Sequence, residues 1–571
     1  MTEAGRDELA CASEPIHLSG AIQPHGYLVS FGIADWVVRH ASANIEELFE
    51  LPAAQLVGCD LREFITSEVI DPVSSLVALL EPGTAPQRAG AANIGVAAQM
   101  CDLGVHVADG LVHLEIEPRR SGPRSVMPTV LAQSMVAHAN GAAGMEDFFQ
   151  RCAEQVRQLS GYDRVMVYRF RHDDAGEVLA ESRDEAMEPY LGLRFPASDI
   201  PAQARALYVR NRIRVIPDAG YQPVPIVPPR TASGAPLDLS QHALRSVSPV
   251  HLEYLRNMGV QASMSISILS GGRLWGLIAC HHRVARHVPL AVRAALDTFG
   301  MFISMRVGSH ALERATAVEE SSREVREALA RRIGASAEVA HALHDAIGTL
   351  SRAIPCDGLA LWSDGAWHLH GETPAQAGLA SALEWARAQA HGQDRMPASE
   401  RAREWSDGHA QTLAGVLAIP FGRRDDWILF FRREQVEQVL WAGDPHKPMV
   451  PTDDGVRIAP RRSFASWRET VRGQAQPWDA GDRRAATQLR RLLQEYLWQP
   501  LPEDSGNVTD MEMFRRRHVL HEQKSRLDQL AELLDGLGHL GDAHTARIGE
   551  RIAALEAEIR ALMLARPSEQ A

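Results

Sequence analysis

Apolar and polar residues alternate in short stretches through the first part of the chain. Between Asp35 and Arg119, the runs WVVRHAS and LVHLEIEP show the period of two that half-buried strands have, and NIEELFEL has helical spacing. The turn-rich segment 120–128 follows. This pattern predicts a small α/β domain, and with the N-terminal arm it defines a first domain at residues 1–125.

A helix, a strand and a hairpin are predicted in the next part of the chain. Gly144–Leu159 has apolar residues at helical spacing, and the run YDRVMVYRF after it is typical of a strand. In SMSISILSGGRLWGLIACHH, a Gly-Gly pair separates two apolar runs, which predicts a tight β-hairpin. We assign these elements to a second domain at residues 126–312.

A long helix is predicted to connect the second domain to a third. Residues 289–347 contain no proline after Pro289 and few glycines, and they are rich in good helix formers. The third domain, 313–505, contains the strand-like runs GLALWSD and WILFFRR. A Pro- and Gly-studded excursion, 441–478, lies between its strands and its last helix. An insertion of this length inside a compact domain is usually functional or mobile.

Two amphipathic helices are predicted in the last part of the chain, 506–571, after the break PLPEDSGN. Its apolar residues recur in steps of three and four, and three glycines separate the two groups. The apolar positions are Leu527, Leu530, Leu534 and Leu537, then Ile548, Ile552, Leu555, Ile559 and Leu562. Such helices need an apolar partner, so we expect this segment to dimerise or to dock onto another protein.

Composition narrows the classes of function. The 571 residues carry a net charge of -13, which gives no general attraction to nucleic acid or acidic lipid. No apolar run approaches the ~18 residues of a membrane span, and the acidic start MTEAGRDELACASEP is unlike a secretory signal. We therefore expect a cytoplasmic protein with no nucleic-acid or membrane partner. The six cysteines form no C-x-x-C pair, so we predict no metal site and no disulfide framework.

Two segments near the start of the first and second domains carry candidate chemistry. The first is Cys11 followed by PIHLSGAIQPHG; a lone cysteine there is most often an inert thiol. The second is LGLRFPASDIPAQARALYVRNRIRVIPD, in which a helix is predicted to start after Pro196, with Ser198 or Asp199 as its N-cap and Pro201 in its first turn. From spacing alone, Asp199 could be no more than a cap.

Two further segments complete the set. LRSVSPVHLEYLRNMGVQASMSISI places His251 before a half-buried strand, where a structural histidine satisfied by its neighbours is the simpler interpretation. GLIACHH adds His281, whose side chain faces either a pocket or water, because a strand alternates its faces.

Taken together, these segments suit a large, flat, acidic and nitrogen-bearing ligand. Arginines bind carboxylates in a fork, aromatic rings enclose a π-system, and a carboxylate accepts from N–H groups. No nucleophile, base and orienting group occur at a legible spacing, so we expect no enzymatic activity. The candidate residues are Arg214, Arg245, Ser263, Ser265, Tyr168, Phe195, Tyr208, Tyr254, His251, His281 and Asp199.

At this point the chain resembles a known family. From Cys11 to about Trp498, the motifs PIHxxGxIQPHG, PASDIPAQAR, SPxHxxYLxNMGVxAS and LWGLIACHH resemble the photosensory region of bacteriophytochromes, with PAS, GAF and PHY domains in that order. The resemblance implies an α+β multidomain protein. Each domain would have a central antiparallel sheet with flanking helices, and long helices would join the domains to one another and to the C-terminal helical segment.

The resemblance also implies a pigment and its attachment. In the family, biliverdin is bound as a thioether between an N-terminal cysteine and a vinyl group of ring A, and Cys11 matches that cysteine. Relatives that use phycocyanobilin place the cysteine directly before the equivalent of His251; Val250 stands there in this chain, which favours biliverdin. Ile22 would lie in an N-terminal lasso threaded through a loop of the GAF domain.

Roles for the pocket residues follow from the same resemblance. The backbone carbonyl of Asp199, with His251, would contact the pyrrole nitrogens, while Arg214 and Arg245 would hold the propionates. The remaining lining residues would be Tyr208, Tyr254, Ser263, Ser265 and Ile200 around the pigment, and Tyr168, Phe195 and His281 around ring D. Light would turn ring D about the C15=C16 bond, which converts the Pr and Pfr states into one another.

The excursion in the third domain resembles the PHY tongue, a hairpin that covers the pigment. Its matching residues are Trp441, Pro460, Arg462, Ser463 and Trp467. In one photostate Arg462 would pair with Asp199, and this contact would be exchanged when the tongue refolds from strand toward helix.

The output departs from the commonest family pattern. The ~65 residues after Gly506 are too few for a histidine kinase, so we expect a homodimer that signals through a separate regulator or kinase. Two alternatives stay open: a GAF-based sensor of haem or a small ligand, and a phosphotransfer component that acts with a separate kinase.

Overall fold

The computed structural model describes most of the chain before residue 498. The described residues are 14–119, 127–334, 339–390, 396–406, 408, 412–421, 425–435, 437–443, 449–452, 455–458, 464 and 466–497. The chain divides into two units, Met1–Tyr496 and Leu497–Ala571. Apart from Leu497, the second unit lies outside the described residues, and so do the predicted tail helices, Cys11, Pro460, Arg462 and Ser463. Among the helices that the structure describes, none combines the length and apolarity that a membrane span needs.

The first domain is an antiparallel sheet with short helices on one side. Its strands are β1 (Ala21–Ile22), β2 (Tyr27–Gly32), β3 (Val38–Ser42), β4 (Gln87–Ile94), β5 (Gln99–Ala108) and β6 (Leu111–Pro118), and its helices are α1 (Glu46–Phe49), α2 (Ala53–Leu56) and α3 (Ser67–Val77). The predicted strand and helix runs are confirmed. The core between the sheet and the helices is formed by residues such as Phe31, Leu56 and Leu114.

The second domain contains a sheet covered on one face by helices. Its helices are α4 (Pro128–Asn140), α5 (Met145–Ser160), α6 (Ala202–Arg210), α7 (Pro249–Asn257) and α8 (Leu290–Gly334). Its strands are β7 (Arg164–Phe170), β8 (Gly176–Arg183), β9 (Arg194–Phe195), β10 (Ile213–Ile216), β11 (Val224–Val227), β12 (Ala262–Ser270) and β13 (Arg273–His282). The predicted hairpin is confirmed: Gly271 and Gly272 both have positive φ, as a two-residue hairpin turn of this hand requires.

One strand of the second domain completes the sheet of the first. The order of that sheet is β1-β11-β3-β2-β6-β5-β4, so β11 lies between two strands that are two hundred residues away in the sequence. Ile22 pairs with Val224 and also forms a bridge with Arg245. The predicted position of Ile22, inside a loop of the second domain, is confirmed.

The predicted connecting helix is α8, which continues from the second domain as far as Gly334. Two short helices follow it, α9 (Val339–Asp345) and α10 (Ile347–Leu350). The N-terminal half of α8 packs on β12 through residues such as Leu296 and Phe299, and this burial anchors the helix to the sheet that carries the candidate site.

The third domain has its own sheet, in the order β15-β14-β18-β17-β16. The strands are β14 (Gly358–Ser363), β15 (Ala366–Gly371), β16 (Ala398–Ser399), β17 (Leu413–Pro420) and β18 (Trp427–Arg433), and the helices are α11 (Gln376–Gln389), α12 (Ala402–Trp405) and α13 (Ala480–Leu497). Trp478, at the end of the predicted excursion, is buried in this domain, where Arg432 stacks 3.9 Å above its ring.

The excursion forms a hairpin that joins the sheet of the second domain. It contains β19 (Glu437–Ala442), β20 (Met449–Thr452), β21 (Gly455–Ile458) and β22 (Ser466–Val471). Trp441 of β19 pairs in parallel with Arg194 of β9, so one sheet runs in the order β10-β12-β13-β7-β8-β9-β19-β22. The hairpin therefore begins before residue 441 and ends before residue 478, and its main-chain contact with the second domain is made through β9.

Candidate functional site

A cavity lies against the open face of the second domain's sheet, beneath α6 and α7. It encloses about 1670 Å³ of space when its open mouth is included. Every predicted pocket residue that the structure describes lines it: Asp199, Ile200, His251, His281, Arg214, Arg245, Tyr168, Phe195, Tyr208, Tyr254, Ser263 and Ser265. The structure thus brings together residues from four separate segments, while their roles toward a ligand remain predictions.

Strand register explains why the polar residues of the sheet share this face. Arg214 is opposite Ser265, and Ser263 is opposite His281, so these side chains point to the same side of the antiparallel sheet. The alternate residues point to the other side; Cys280, for example, is fully buried in the helical core. Because side chains alternate along each strand, one face of the sheet packs in the apolar core and the other face lines the cavity with polar residues.

The two arginines are buried without a carboxylate partner. Arg214 and Arg245 are only 8% and 7% exposed. Arg214 donates to the carbonyls of Ala243 (3.0 Å) and Arg245, and Arg245 donates to the carbonyl of Ile16 at 2.8 Å, while its Nε makes no hydrogen bond in the described structure. Across the described residues, neither arginine forms an ion pair. A buried charge is costly unless it is paired, so this part of the cavity favours an anion.

The pKa shifts of the two arginines agree with this interpretation. Burial lowers the pKa of Arg214, and burial together with the positive charge of Arg214 lowers the pKa of Arg245 to about 9. At about 9, the pKa of Arg245 still lies above neutral pH, so this guanidinium stays protonated there. A bound carboxylate would offset the unfavourable burial.

The PASDIP segment forms a turn rather than a continuous helix. Residues 197–199 form one turn of 3₁₀ helix, and Ile200 is extended, with φ -128° and ψ 83°. The residue before a proline is disfavoured in α conformation, so Ile200 ends the turn and α6 begins after Pro201, which is its N-cap. The predicted cap role of Ser198 or Asp199 is therefore wrong, and Pro201 lies before the helix instead of in its first turn.

This turn directs Asp199 toward α7. The hydroxyl of Tyr254 donates to the Asp199 carboxylate at 3.0 Å, and the ring of Tyr254 stacks at 6.0 Å from His251. His251 is half-buried and lines the cavity wall. One carboxylate, one phenol and one imidazole thus line the same side of the cavity.

An aromatic wall closes the end of the cavity near β7. Tyr168 lies 5.9 Å from Phe195, and Phe195 lies 5.8 Å from Tyr190. His281 is buried beside this wall and accepts at Nδ1 from the guanidinium of Arg164 at 3.1 Å. A guanidinium only donates, so the proton of neutral His281 is on Nε2. Burial and the charge of Arg164 keep the pKa of His281 well below its ordinary value, which maintains the neutral ring.

The tongue hairpin covers this wall. Phe464 is buried with its ring 5.3 Å from Tyr254, in an edge contact, and Ala442 is buried in the same aromatic cluster. Trp441 is half-buried and is the strand partner of Trp467, which is 49% exposed. The described part of the hairpin therefore reaches the candidate site through Phe464 and Trp441.

The N-terminal arm enters the opposite side of the cavity. Glu14, the first described residue, and Ile16 line the cavity, and Glu14 accepts a hydrogen bond from Ser248 at 3.1 Å. Cys11 precedes Glu14 by three residues in the sequence and lies outside the described residues. The other five cysteines, Cys59, Cys101, Cys152, Cys280 and Cys356, do not line the cavity.

Sequence reasoning missed several residues of this site. Arg164, which fixes the tautomer of His281, and Tyr190, over whose ring Arg164 lies at 3.7 Å, carried no motif. Only the strand register indicates that Arg164 belongs to the site, because it places Arg164 opposite His281 across β7 and β13. Phe464 was visible in the run PRRSF, but its contact with Tyr254 spans more than two hundred residues.

Three family profiles match the chain in succession. A PAS fold matches residues 11–119, a GAF domain matches residues 144–307, and a phytochrome region matches residues 322–500. These ranges cover the first, second and third domains, which are called PAS, GAF and PHY domains from here on.

Similar proteins carry the same architecture. The chain is 36% identical over 570 residues to a bacteriophytochrome from Pseudomonas aeruginosa, which covers 97% of this chain and 75% of that protein. A crystal structure of a bacteriophytochrome from R. palustris superposes with a TM-score of 0.73 at 33% identity, covering 86% of this chain and 99% of that one. The photosensory core module of a Stigmatella aurantiaca phytochrome superposes with a TM-score of 0.72 at 35% identity, covering 86% and 98%.

Proposed function

We infer, because this chain belongs to the bacteriophytochrome family of light receptors, that its GAF cavity binds biliverdin and that light acts on the protein through this pigment. The observation that carries the inference is the pair of buried guanidinium groups, Arg214 and Arg245, without a carboxylate partner among the described residues. Biliverdin is a linear tetrapyrrole with two propionates. The propionates would supply the negative charge that the cavity lacks, and the cavity can accommodate the length of the tetrapyrrole.

The rest of the cavity fits the same ligand. Ser263 and Ser265 place hydroxyl groups beside the arginines, and Asp199 and His251 offer polar atoms where pyrrole nitrogens would lie. Tyr168 and Phe195 supply an apolar wall for a ring that has to turn. We propose that Tyr208, Tyr254 and Ile200 complete the lining.

We propose Cys11 as the attachment site. A thiol adds across a vinyl group: sulfur bonds one carbon, the proton goes to the other, and no oxidant is needed. The support is that Glu14, three residues after Cys11 in the sequence, lines the cavity. Cys280 is a poor nucleophile, because burial raises the pKa of its thiol far above neutral. Val250 lines the cavity where relatives that use phycocyanobilin carry a cysteine.

Bound biliverdin would supply red-light absorption and isomerisation about C15=C16, which interconverts the Pr and Pfr states. The protein's part is to hold the rest of the pigment still and to leave ring D room to turn. His281, with its proton on Nε2, can donate to the ring D carbonyl, and Arg164 holds the imidazole in that orientation.

We propose that the tongue carries the change to the PHY domain. Its contacts with the GAF domain include the strand pairing of Trp441 with Arg194 and the packing of Phe464 on Tyr254. If the hairpin refolds toward helix, the strand pairing is lost, and Arg462 and Ser463 would exchange their contacts with Asp199. A bistable element of this kind turns a local ring rotation into a shift between two populations.

We further propose a homodimer that acts on a separate regulator or kinase through residues 506–571, and not an enzyme in its own right. The support for dimerisation is an exposed apolar stripe on α8. Met301, Met305 and Leu312 are spaced by four and seven residues, so they lie on one face, and they are 40%, 73% and 69% exposed.

The first experiment tests the pigment and its attachment. The full chain is loaded with biliverdin, and its absorption is recorded in darkness, after red light and after far-red light. We expect reversible conversion between two spectra and pigment that stays on the chain after denaturation. Cys11→Ser should lose covalent pigment, while the control Cys59→Ser should retain it. Covalent pigment in Cys11→Ser would refute the attachment site, and no reversible change in any sample would refute the photoreceptor.

A second experiment tests the anion site in the Cys11→Ser background, where binding is reversible. Arg214→Met and Arg245→Met should each weaken biliverdin binding by about tenfold or more, because a charge-assisted hydrogen bond contributes about 1.5–3 kcal/mol. Arg212→Met is the control, since Arg212 pairs with Asp297 at 2.7 Å and does not line the cavity. Equal affinity in all three variants would mean that the arginines do not hold the propionates.

A further inference from the structure

Three histidines meet in the interior between the PAS domain and a loop of the GAF domain. His106 on β5 and His113 on β6 are strand partners, and His242 comes from the loop between β11 and α7. All three are buried, with exposures of 0%, 1% and 1%. None of them lines the cavity of the GAF domain.

The ring nitrogens of this histidine cluster converge on one another. One nitrogen from each ring can be chosen so that the three atoms lie within 4.8 Å of one another. Nε2 of His242 is 3.2 Å from Nδ1 of His113, which is also 2.8 Å from the hydroxyl of Ser30. Two nitrogens bound to one tetrahedral zinc ion are separated by about 3.3 Å, so shifts on the order of 1 Å would complete the geometry.

Protein partners alone leave the cluster incompletely satisfied. Neither ring nitrogen of His106 makes a hydrogen bond in the described structure, and Nδ1 of His242 makes none either. A neutral imidazole carries one N–H, so at least His106 buries a donor without an acceptor in the described structure, which is unfavourable. A residue needed only for packing would avoid this penalty if it were phenylalanine or leucine.

We propose that His106, His113 and His242 bind a divalent transition-metal ion, Zn²⁺ in the cell, which links the PAS sheet to the GAF loop. Three imidazoles without a thiolate suit zinc and its neighbours in the first transition row, and they do not suit calcium or magnesium, which take oxygen ligands. Water or the hydroxyl of Ser30 would complete a four-coordinate site.

The electrostatic surroundings permit a neutral ligand set. Burial lowers the pKa of His113 to about 4 and keeps those of His106 and His242 well below their ordinary value, so each ring is neutral and offers one nitrogen lone pair at neutral pH. The backbone carbonyl of Ala108 raises the pKa of the His113 ring, as an acceptor for its N–H would. Metal-bound histidines commonly have such an acceptor for the nitrogen that does not bind the metal. The positive charge of Arg245 near His242 opposes a cation, and the carboxylate of Asp238 near His113 favours one.

The site would have a structural consequence independent of the pigment. The loop that carries His242 also carries Leu244 and Arg245, whose backbone atoms bond Gln23 and Ile22 of the N-terminal arm. A metal ion held by two PAS residues and one GAF residue would fix this loop against the sheet. Removing the ion should therefore lower the stability of the PAS–GAF junction.

The test measures zinc in the full chain, produced without pigment because pyrrole nitrogens also chelate zinc. Protein carrying a histidine-free tag is expressed with added Zn²⁺ and analysed by mass spectrometry of the metal. We expect about one equivalent in the wild type, bound by nitrogen atoms at about 2.0–2.1 Å in X-ray absorption. His106→Phe and His242→Phe should lose it, and the exposed control His138→Gln should keep it.

Folding of the variants is checked by thermal unfolding with and without a chelator. The chelator should lower the unfolding temperature of the wild type and leave that of His106→Phe unchanged, because the variant has no ion to lose. The variant should still fold, because phenylalanine fills a similar space and His106 has no protein hydrogen bond to lose in the described structure. A wild type with less than about a tenth of an equivalent, or zinc that persists in both variants, would overturn the proposal.

Discussion

Glu115 is the residue at which pH should change the stability of the PAS–GAF junction. Its carboxylate is buried on β6 and accepts from the backbone N–H groups of Leu244 (2.7 Å) and Ala243 (3.2 Å). Across the described residues it has no ion-pair partner, and burial raises its pKa to about 7 from the model-compound value of 4.5, more than the two N–H groups lower it. The folded protein therefore prefers the protonated form.

The sign and the size of the effect follow from this shift. A folded-state pKa above the unfolded one stabilises the protein fully at low pH, and this stabilisation is lost as pH rises through the folded value. Each unit is worth 1.36 kcal/mol, so the ionised group should cost about 3 kcal/mol above about pH 8 and about 1 kcal/mol near pH 5.5. Glutamine cannot ionise and escapes this penalty.

The prediction concerns the difference between wild type and Glu115→Gln, measured by urea unfolding of the pigment-free chain. The free energy of unfolding of the variant, relative to wild type, should rise by about 2 kcal/mol from about pH 5.5 to about pH 8.5. Glu81→Gln, an exposed position of the same domain, should show an equal difference at both pH values. A pH-independent difference for Glu115→Gln would refute the reasoning.

Three other substitutions test the pocket and the dimer. In Gly176→Ala, the new Cβ would lie 1.6 Å from the ring of Tyr168, so the ring must move; we expect a lower photoconversion yield, and an unchanged yield would show that Tyr168 does not guide the pigment. Burial and then the charge of Arg164 lower the pKa of His281, so Arg164→Gln should raise that pKa and move any pH-dependent change of the pigment spectrum to higher pH than in the wild type; a pH dependence identical to that of the wild type would contradict this role. Met305→Glu places a charge on a 73% exposed site of α8; sedimentation should show dimer affinity weakened by about tenfold or more with the pigment spectrum retained, and an intact dimer would exclude this face.

Local elements of the fold were predictable because their signals are local. The Gly271–Gly272 turn and the helix near Gly144–Leu159 follow from chain chemistry and periodicity, and both are confirmed within a residue or two. The helix predicted after Pro196 was wrong because the effect of Pro201 on Ile200 was not considered. The pocket residues were identified through motifs of the family, and strand register then explains why they share one face.

Long-range pairings were not predictable from the same signals. The parallel contact of β19 with β9 joins residues that are 247 apart in the sequence, Trp441 and Arg194, and no local pattern marks it. His106, His113 and His242 have no metal-ligand spacing, and the sequence led us to expect no metal site. Only the folded chain places their nitrogens together.

The position of β11 has a consequence for biosynthesis. At about 5–20 residues per second, a ribosome needs roughly ten to forty seconds to proceed from β3 to β11. During that time the edge of β3 that pairs with β11 stays unpaired. The PAS sheet can close only after Val224–Val227 has left the exit tunnel. A gene truncated after residue 125 would therefore encode a PAS sheet that lacks β11, so strand edges would stay unpaired. In three dimensions the PAS domain includes a strand that lies about a hundred residues beyond the end of the domain in the sequence.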